Sequence, residues 1–473
     1  MTTRRPLVTE LSETLVQTDL TLETFWSAFR HNPIKCLYVC CQNLFDQTEL
    51  KRQLYAIGPV DVSLLPYNRA VISKCCDTQA AGAEVFVASI ADQSLAEDIV
   101  DYISELDVVL PAGDQHSNDG HSRCSAIVRK FGQSGFDYIG GGIRDLPALQ
   151  NAKVAYVARP APSLTGALQA KEISAQALGY RWQLRDMVRG LRPHQWTKNL
   201  LLFLPLIAAH QLDAKNTLAV LLGIVCFSAA ASAIYIVNDL LDLDADRRHP
   251  TKRNRVFASG KVPIRIGMAS SLLLASFAIA LAANMAKAMF LVVSAYLVLT
   301  VAYSVFFKRY RWVDLILLSS LYSLRVIAGA IAAGVVASPW LMAFVMPAFL
   351  ALAAVKRLTE LRKLPSGSTL PGRAYSQADS RTLLGLAIIG ATMTIGVFCA
   401  YTVTWTASVL YVDLWELRIM ALPMSLWFAH MILTGWKGRQ SYDPMVFALR
   451  DAISLVLLTL IFLFAGFATS GNP

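Results

Sequence analysis

From Asn199 to its C terminus the chain is a succession of apolar runs parted by short polar loops. They fall at 199–210, 217–237, 264–283, 287–306, 313–333, 339–355, 382–404, 411–434 and 450–468, about nine segments, most of them near the ~20 residues a helix needs to cross a bilayer. Few folds are open to such a chain, because backbone groups inside hydrocarbon must be satisfied within their own segment. The expectation is an all-α polytopic membrane bundle over residues 191–473. Residues 1 to about 190 have ordinary soluble composition, and a soluble domain is expected over residues 1–160. A strand fits at Leu7-Val8, and others near 84–88, 108–110, 138–139 and 154–157, with helical stretches between: the rhythm of a doubly wound α/β domain. Between the two, residues 161–190 read as a linker, broken by Pro160 and Pro162 and then basic and amphipathic, suited to the membrane surface.

The loops alternate in charge. Arg192 and Lys198, Arg247 to Lys261, Lys308 to Arg311, Lys356 to Arg381 and Lys437 to Arg450 form the cationic set, and the loops between are poor in cations. The positive-inside rule puts the cationic set and the N-terminal domain in the cytoplasm; the expected location of the bundle is a bacterial inner (cytoplasmic) membrane. The net charge of +10 is then mostly charge on that face, able to hold anionic headgroups or substrate phosphates. No nucleic-acid motif accompanies it. Residues 1–20 are polar, so no signal peptide is expected. The eight cysteines form no CxxC pair and have no histidine at zinc spacing, which reads as reduced thiols.

The stretch NDLLDLDADRRHPTKRNR, residues 238–255, follows one of the apolar runs. On a helix Asp239, Asp242 and Asp246 share a face, and Asn238 lies one turn from Asp242. Carboxylates packed this way stay ionised together only with a cation among them. Arg247, Arg248, Lys252, Arg253 and Arg255 follow at once. Carboxylates that suit Mg²⁺ beside cations that suit phosphate oxygens point to a diphosphate substrate. A solvated helix end and a transporter's ion cluster are the plainer readings. A calcium loop would want Gly and Glu where Arg247 and Arg253 stand. Arg325, deep in an apolar run, is costly there and expected to be functional or paired. Lys198, next to interfacial Trp196, either snorkels or turns inward toward phosphate.

Two resemblances extend this reading. LVTELSETLVQTDL near the start, LPYN at 65–68, VFVASIAD at 85–92 and GFDYIGGGIRDL at 135–146 resemble the haloacid-dehalogenase superfamily. That chemistry uses an aspartate nucleophile and a second aspartate two residues on; here Glu10 and Ser12 stand at those positions. Ser89 matches the second motif, Arg123 falls where a lysine is usual, and Gly140-Gly141-Gly142 leaves Asp145 as the nearby acid. The resemblance therefore implies an inactive phosphatase-like domain.

The NDxxDxxxD pattern resembles the UbiA family of intramembrane transferases over roughly 190–470. Members carry a second Asp-rich motif after the sixth span, where this chain has Lys356-Arg357-Leu358-Thr359-Glu360-Leu361 and then Arg373-Ala374-Tyr375. A cationic loop there suits a substrate with a further phosphate. With RPxQWxKN, the KRxxEL loop and the final ALRD, the chain resembles the polyprenyl-phosphate phosphoribosyltransferase branch. That resemblance implies transfer from 5-phosphoribose 1-diphosphate to a polyprenyl (decaprenyl-like) phosphate. The product would feed arabinose donors for cell-wall glycan or nodulation signals. It implies Mg²⁺ among Asp239, Asp242 and Asp246, which with Lys356 form the catalytic set. Asn238 and Tyr235 would assist, and Lys198, Lys252, Arg255, Arg357 and Arg373 would hold phosphates. Glu360 and Tyr375 would hold ribose hydroxyls or orient cations. Lys308 and Arg325 are further candidates, and Asp451 is expected to pair with one of these cations. An aromatic prenyltransferase and a non-enzymatic transporter or scaffold stay open as alternatives, as does a homo-oligomer.

Overall fold

The computed structural model describes residues 5–470 apart from 90–92, 104–107, 111–119, 161, 180, 366–368, 371–372 and 441–442; for 108–110 and 470 the description is of backbone alone. The chain divides into two compact units, Met1–Leu191 with Tyr235–Ser271 and Arg192–Ile234 with Leu272–Pro473.

In the first unit, strands β1 (Leu7–Glu10), β2 (Val85–Ala88), β3 (Val108–Leu110), β4 (Asp137–Gly140), β5 (Ala155–Val157) and β6 (Ala175–Ala177) form one sheet of order β3-β2-β1-β4-β5-β6. Every pairing is parallel. Side-chain alternation sorts the strands onto two cores. Leu7, Val85, Val87, Ile139 and Tyr156 face one, and Val8, Phe86, Ala88, Tyr138, Ala155 and Val157 face the other. A parallel sheet buried on both faces gives the short, continuously apolar strands seen in the sequence. The helices between are α1 (Leu20–His31), α2 (Pro33–Gln42), α3 (Gln47–Ile57), α4 (Arg69–Ala80), α5 (Gln93–Tyr102), α6 (Gly120–Phe131), α7 (Leu146–Asn151), α8 (Pro162–Ala170) and α9 (Leu184–Gly190). Asp19, Asn32 and Asp46 cap the first three by accepting backbone N–H bonds.

Two expectations need correction here. The stretch 161–190 is not wholly a linker: α8 packs Leu164 and Leu168 on the second core, and β6 extends the sheet beside β5. Its polar Ala-Gln-Ala sequence hides an edge strand. The acidic stretch, expected as part of the membrane domain, belongs to the same compact unit as the sheet. Buried ionic contacts hold it there. Arg247 forks onto Glu23 of α1 at 2.5 and 3.1 Å and donates to the Ala258 carbonyl at 2.9 Å. Arg159 donates to the carbonyls of Gly260 and Lys261, each at 2.6 Å, and to that of Gln17 at 2.7 Å. Arg30 with Asp244, at 3.4 Å, and the exposed Arg248 with Asp61, at 2.9 Å, add less.

The second unit holds α10 (Leu204–Ala208), α11 (Ala214–Leu241) up to Ile234, α13 (Ile264–Met285) from Leu272, α14 (Lys287–Val305), α15 (Arg311–Ala333), α16 (Pro339–Arg362), α17 (Ser380–Tyr401), α18 (Trp405–Leu410), α19 (Leu414–Ile419), α20 (Ala421–Trp436), α21 (Pro444–Ala448) and α22 (Ala452–Ser470). The six-residue α12 (Leu243–Arg248) lies in the first unit. Among the described residues eight helices are long and apolar enough to cross a membrane. The first apolar run, 199–210, supplies none of them: a 3-10 segment over Pro193–Phe203 gives way to α10, with Pro205 in its first turn. That segment lies directly on α15, since a Cβ added to Gly329 would stand 2.0 Å from the Leu202 carbonyl oxygen. Trp196 donates to Ser232 and Asn199 to Ser228, both at 2.9 Å, fixing the segment against α11. Leu315, Ala351, Leu358, Leu383 and Phe428 form a core among α15, α16, α17 and α20.

Glu23→Gln should leave the Arg247 guanidinium buried without its counter-charge. The expected loss is about 3–5 kcal/mol from the first unit. Limited proteolysis should cut the 248–262 loop faster in this variant than in the wild type.

Candidate functional site

In the acidic stretch, α11 ends at Leu241 and α12 begins at Leu243, with Asp242 between them at φ −103° and ψ 16°. The i to i−4 bonding continues through the break: Asp242 donates its N–H to Asn238 and Asp246 to Asp242, at 3.0 and 2.8 Å. Asp239 and Asp246 therefore still face a common point. The cation there is Arg255, whose Nη1 lies 3.1 Å from Asp239 Oδ1 and 2.6 Å from Asp246 Oδ2. Burial raises the Asp246 carboxyl, and Arg255 pulls it back toward the ionised form. Burial likewise raises Asp244. Asp239, Asp242, Asp246 and Asn238 offer oxygen donors, a set that suits Mg²⁺. Among the described residues, however, no three His, Cys, Asp or Glu side chains stand close enough together to hold a metal ion. Tyr235 and Asn238 are half-buried on the last turns of α11, and Lys252 is exposed on the 3-10 turn Lys252–Asn254.

The second unit gathers its cations around a residue that the sequence reading passed over, Asp443. Lys356 Nζ of α16 lies 2.6 Å from Asp443 Oδ2, and Lys198 Nζ of the 3-10 segment lies 3.0 Å from the same oxygen. Tyr322 of α15 donates to Asp443 Oδ1 at 2.9 Å. Lys198 and Arg325 both stand over the Tyr322 ring, 5.8 and 5.4 Å from its centroid. Arg325 donates to Asn199 Oδ1 at 3.1 Å, to the Leu321 carbonyl at 2.7 Å and to Tyr296 Oη at 3.0 Å. The intramembrane arginine is thus paired, as its cost demands. Burial pushes the Lys198 ammonium down to about 8 although Asp443 pulls it up. Burial alone would raise Asp443, but the two lysines more than reverse this and hold it well below the usual carboxylate range. One carboxylate shared by two ammoniums stays ionised, and Lys198 bears the cost. Lys198 thus turns inward and does not snorkel.

One position further along α16, Arg357 heads a different cluster. Its guanidinium, 0% exposed, forks onto Asp314 at 2.6 and 2.8 Å and donates to Tyr303 at 2.9 Å and to Glu360 at 2.8 Å. Arg373 reaches the same Glu360 oxygen at 2.9 Å. Here two arginines meet two carboxylates, so this cluster is balanced, whereas Lys198, Lys356 and Arg325 outnumber Asp443. Tyr375 is fully buried and its hydroxyl donates to the Arg311 carbonyl, so it braces the loop after α16. Lys308 is half-buried on the turn after α14. The expected pairing of Asp451 with one of the candidate cations is not found: His430 lies 2.7 Å from it, and it accepts from Ser454 N at 2.9 Å at the start of α22. Asp443 takes that part. Its only sequence signal was an Asp-Pro step, which also reads as an ordinary helix cap, and it does accept from Met445 N at 3.3 Å.

In the sheet unit, Arg123 bonds Glu10 and, at 2.8 Å, Asp145. Asp145 also accepts the N–H groups of Gly141 and Gly142, both at 2.9 Å. Gly141 has to be glycine, because a Cβ would lie 2.2 Å from the Glu13 carbonyl oxygen. Ser12 accepts from Leu20 N at 3.1 Å, and Ser89 is buried just after β2.

Comparison with known proteins bears on both units. The model of the UbiA prenyltransferase family matches residues 200–364. A Sinorhizobium fredii protein, uncharacterized protein y4nM, is 30% identical over 462 residues, covering 96% of this chain and 89% of that one. Nodulation protein NoeC of Azorhizobium caulinodans is 32% identical over 274 residues, 56% of this chain and 88% of that one. The decaprenyl-phosphate phosphoribosyltransferase of Corynebacterium glutamicum is 36% identical over 180 residues, 37% of this chain and 54% of that one.

Asp443→Asn should strand two buried ammoniums and cost about 3–5 kcal/mol. Asp451→Asn removes a partly exposed pair and a helix cap and should cost about 1 kcal/mol. Thermal unfolding of the two variants in the same lipid mixture checks the order.

Proposed function

Because the chain belongs to the UbiA prenyltransferase family, we propose that it is a Mg²⁺-dependent membrane transferase moving 5-phosphoribose from 5-phosphoribose 1-diphosphate onto a polyprenyl phosphate. The observation that carries this reading is the cationic cluster of Lys198, Lys356 and Arg325 about Asp443, with Lys356 on the helix that leads into a basic loop. A bare prenyl diphosphate needs anion-binding groups for one diphosphate. A donor and an acceptor that both carry phosphate need more, and these lysines are the additional groups. The similarity to decaprenyl-phosphate phosphoribosyltransferases supports the same substrate class. The similarity to a nodulation protein favours a nodulation signal over cell-wall glycan as the final destination of the sugar.

We assign the donor's diphosphate to Asp239, Asp242 and Asp246, with Arg255 released from the carboxylates to meet phosphate oxygens. With Arg255 withdrawn, Asp239, Asp242 and Asp246 would be the residues to hold a divalent cation, and such a cation would supply positive charge to the leaving diphosphate. We assign the acceptor's phosphate to Lys198 and Lys356. It exchanges with Asp443 for the two ammoniums, so the lysines are oriented before it arrives. The acceptor oxygen attacks the anomeric carbon from the face opposite the diphosphate. The bond from that carbon to the diphosphate oxygen breaks, and diphosphate leaves with the electron pair. The acceptor phosphate is already ionised, so no general base is required. Arg357, enclosed and bonded to Asp314, Tyr303 and Glu360, holds α16 in place and thereby orients Lys356.

The test is purified protein with Mg²⁺, radiolabelled phosphoribose diphosphate and decaprenyl phosphate, with the labelled lipid as the readout. Asp242→Asn and Lys356→Ala should each lower the rate by about 100-fold or more, equivalent to roughly 3 kcal/mol of lost charge stabilisation. Activity on a prenyl diphosphate and an aromatic acceptor, without labelled lipid, would overturn the assignment. The pH profile gives a second check. Lys198 is charged below about 8 and neutral above it, so the KM for the lipid phosphate should rise as the pH passes 8. Lys198→Arg keeps its proton and should flatten that rise.

A further inference from the structure

The first unit carries a surface that the transferase reading does not use. On α2, Ile34, Leu37, Tyr38 and Cys41 fall at i, i+3, i+4 and i+7, one face of a helix. Leu44 and Phe45 continue that face past the helix end. All of these side chains are exposed, Ile34 at 74% and Phe45 at 101%. The opposite face is the covered one: Cys36 and Val39 pack with Ala28 of α1 and Leu54 of α3. α2 is thus apolar on both sides and buried on one. A contiguous apolar patch of this kind marks a contact surface.

The same unit shows what lies beside it. Trp26, Ser27 and Arg30 of α1 line a small cavity together with Leu240, Leu241 and Asp244. Leu240 and Leu241 close α11, one of the helices long and apolar enough to cross a membrane. Arg30 also lies 3.4 Å from Asp244, just past the end of that helix. α1 therefore stands beside the C-terminal end of a helix long and apolar enough to cross a membrane. Ile34 follows Arg30 by four residues, a reach of at most ~14 Å. The headgroup layer on one side of a bilayer is itself roughly 5–8 Å deep. The apolar face of α2 thus begins within that reach of the end of α11, and exposed Lys35 adds a charge suited to lipid phosphates.

We propose that the face formed by Ile34, Leu37, Tyr38, Leu44 and Phe45 rests in the interface of the bilayer that holds the chain, making α2 an in-plane anchor for the sheet unit. Anchoring would restrict the tilt of the unit that carries Asp239 to Arg255, with no contact to substrate. Cys41, in the middle of the face, is a built-in reporter.

The experiment uses the full-length protein in nanodiscs of phosphatidylcholine and phosphatidylglycerol. A water-soluble maleimide is added and modification is read peptide by peptide, with Cys76 of α4 as the internal reference. Cys41 should react at least about 10-fold more slowly in the wild type than in Leu37→Glu/Phe45→Glu, the ratio for a face withdrawn from water nine-tenths of the time. A lipid with a photoreactive acyl chain should label residues 33–46 in the wild type. If the double variant also alters the Cys76 rate, the wild-type photolabelling alone decides. Equal Cys41 rates with Cys76 unchanged, or no lipid adduct at 33–46, would overturn the proposal. So would a Cys41-to-Cys41 disulfide between two chains, which would assign the face to a second copy.

Discussion

A charge inside a helical bundle is tolerated only where a counter-charge or a set of hydrogen-bond acceptors satisfies it, and the polar architecture of the second unit follows from that. Arg357 is enclosed completely, so Asp314 must sit against it with both oxygens, and Tyr303 and Glu360 must fill the remaining donors. Those partners come from α14, the turn of α15 and α16 itself, and pairing them sets how the helices meet. Around Asp443 the balance differs. Two ammoniums share one carboxylate, with a guanidinium over the neighbouring ring. A balanced cluster is finished as it stands. A cluster with surplus positive charge is stabilised further by an incoming anion, which is the ground on which we propose Lys198 and Lys356 for substrate and Arg357 for support.

The same rule orders the acidic stretch. Four aspartates between 239 and 246 repel one another; Arg255 relieves Asp239 and Asp246, and Arg30 lies near Asp244. The basic residues that follow are divided by burial. Arg247, deeply covered, is committed to Glu23, whereas Lys252 stays at the surface. From sequence the two look alike as phosphate-binding cations. In the fold one is an anchor for the loop and the other stays outside it.

Periodicity made much of the fold legible. Strands buried on both faces read as short apolar runs, and spanning helices as long ones, because each pattern reports burial along a single element. What stayed hidden depends on packing between elements. β6 is an edge strand of Ala-Gln-Ala and carries no apolar signal. The run at 199–210 is apolar enough for a helix, yet Pro205 and the close approach to Gly329 keep it short. The aspartates and lysines proposed for the candidate site stand in recognisable motifs. Asp443 does not, and a capping aspartate and a counter-ion look the same until the lysines are seen to converge on it.

The sheet unit shows where its own constraint lies. In an open parallel sheet, ligands enter where strand order reverses, at the C-terminal ends of the strands beside β1. Here Glu10 ends β1, and Asp145 follows β4 with its carboxylate drawn onto the Gly141 and Gly142 amides. Arg123 joins the two acids. A phosphate entering that crevice would have to separate both carboxylates from their arginine and from two backbone donors. The groups that would greet an anion are acidic and already engaged. The same sheet delivers α1 with Glu23, and after β5 the Arg159 that grips the Gly260 and Lys261 carbonyls. Its buried polar contacts run instead to the loop that closes the acidic stretch, through Glu23 with Arg247 and through Arg159 with the Gly260 and Lys261 carbonyls.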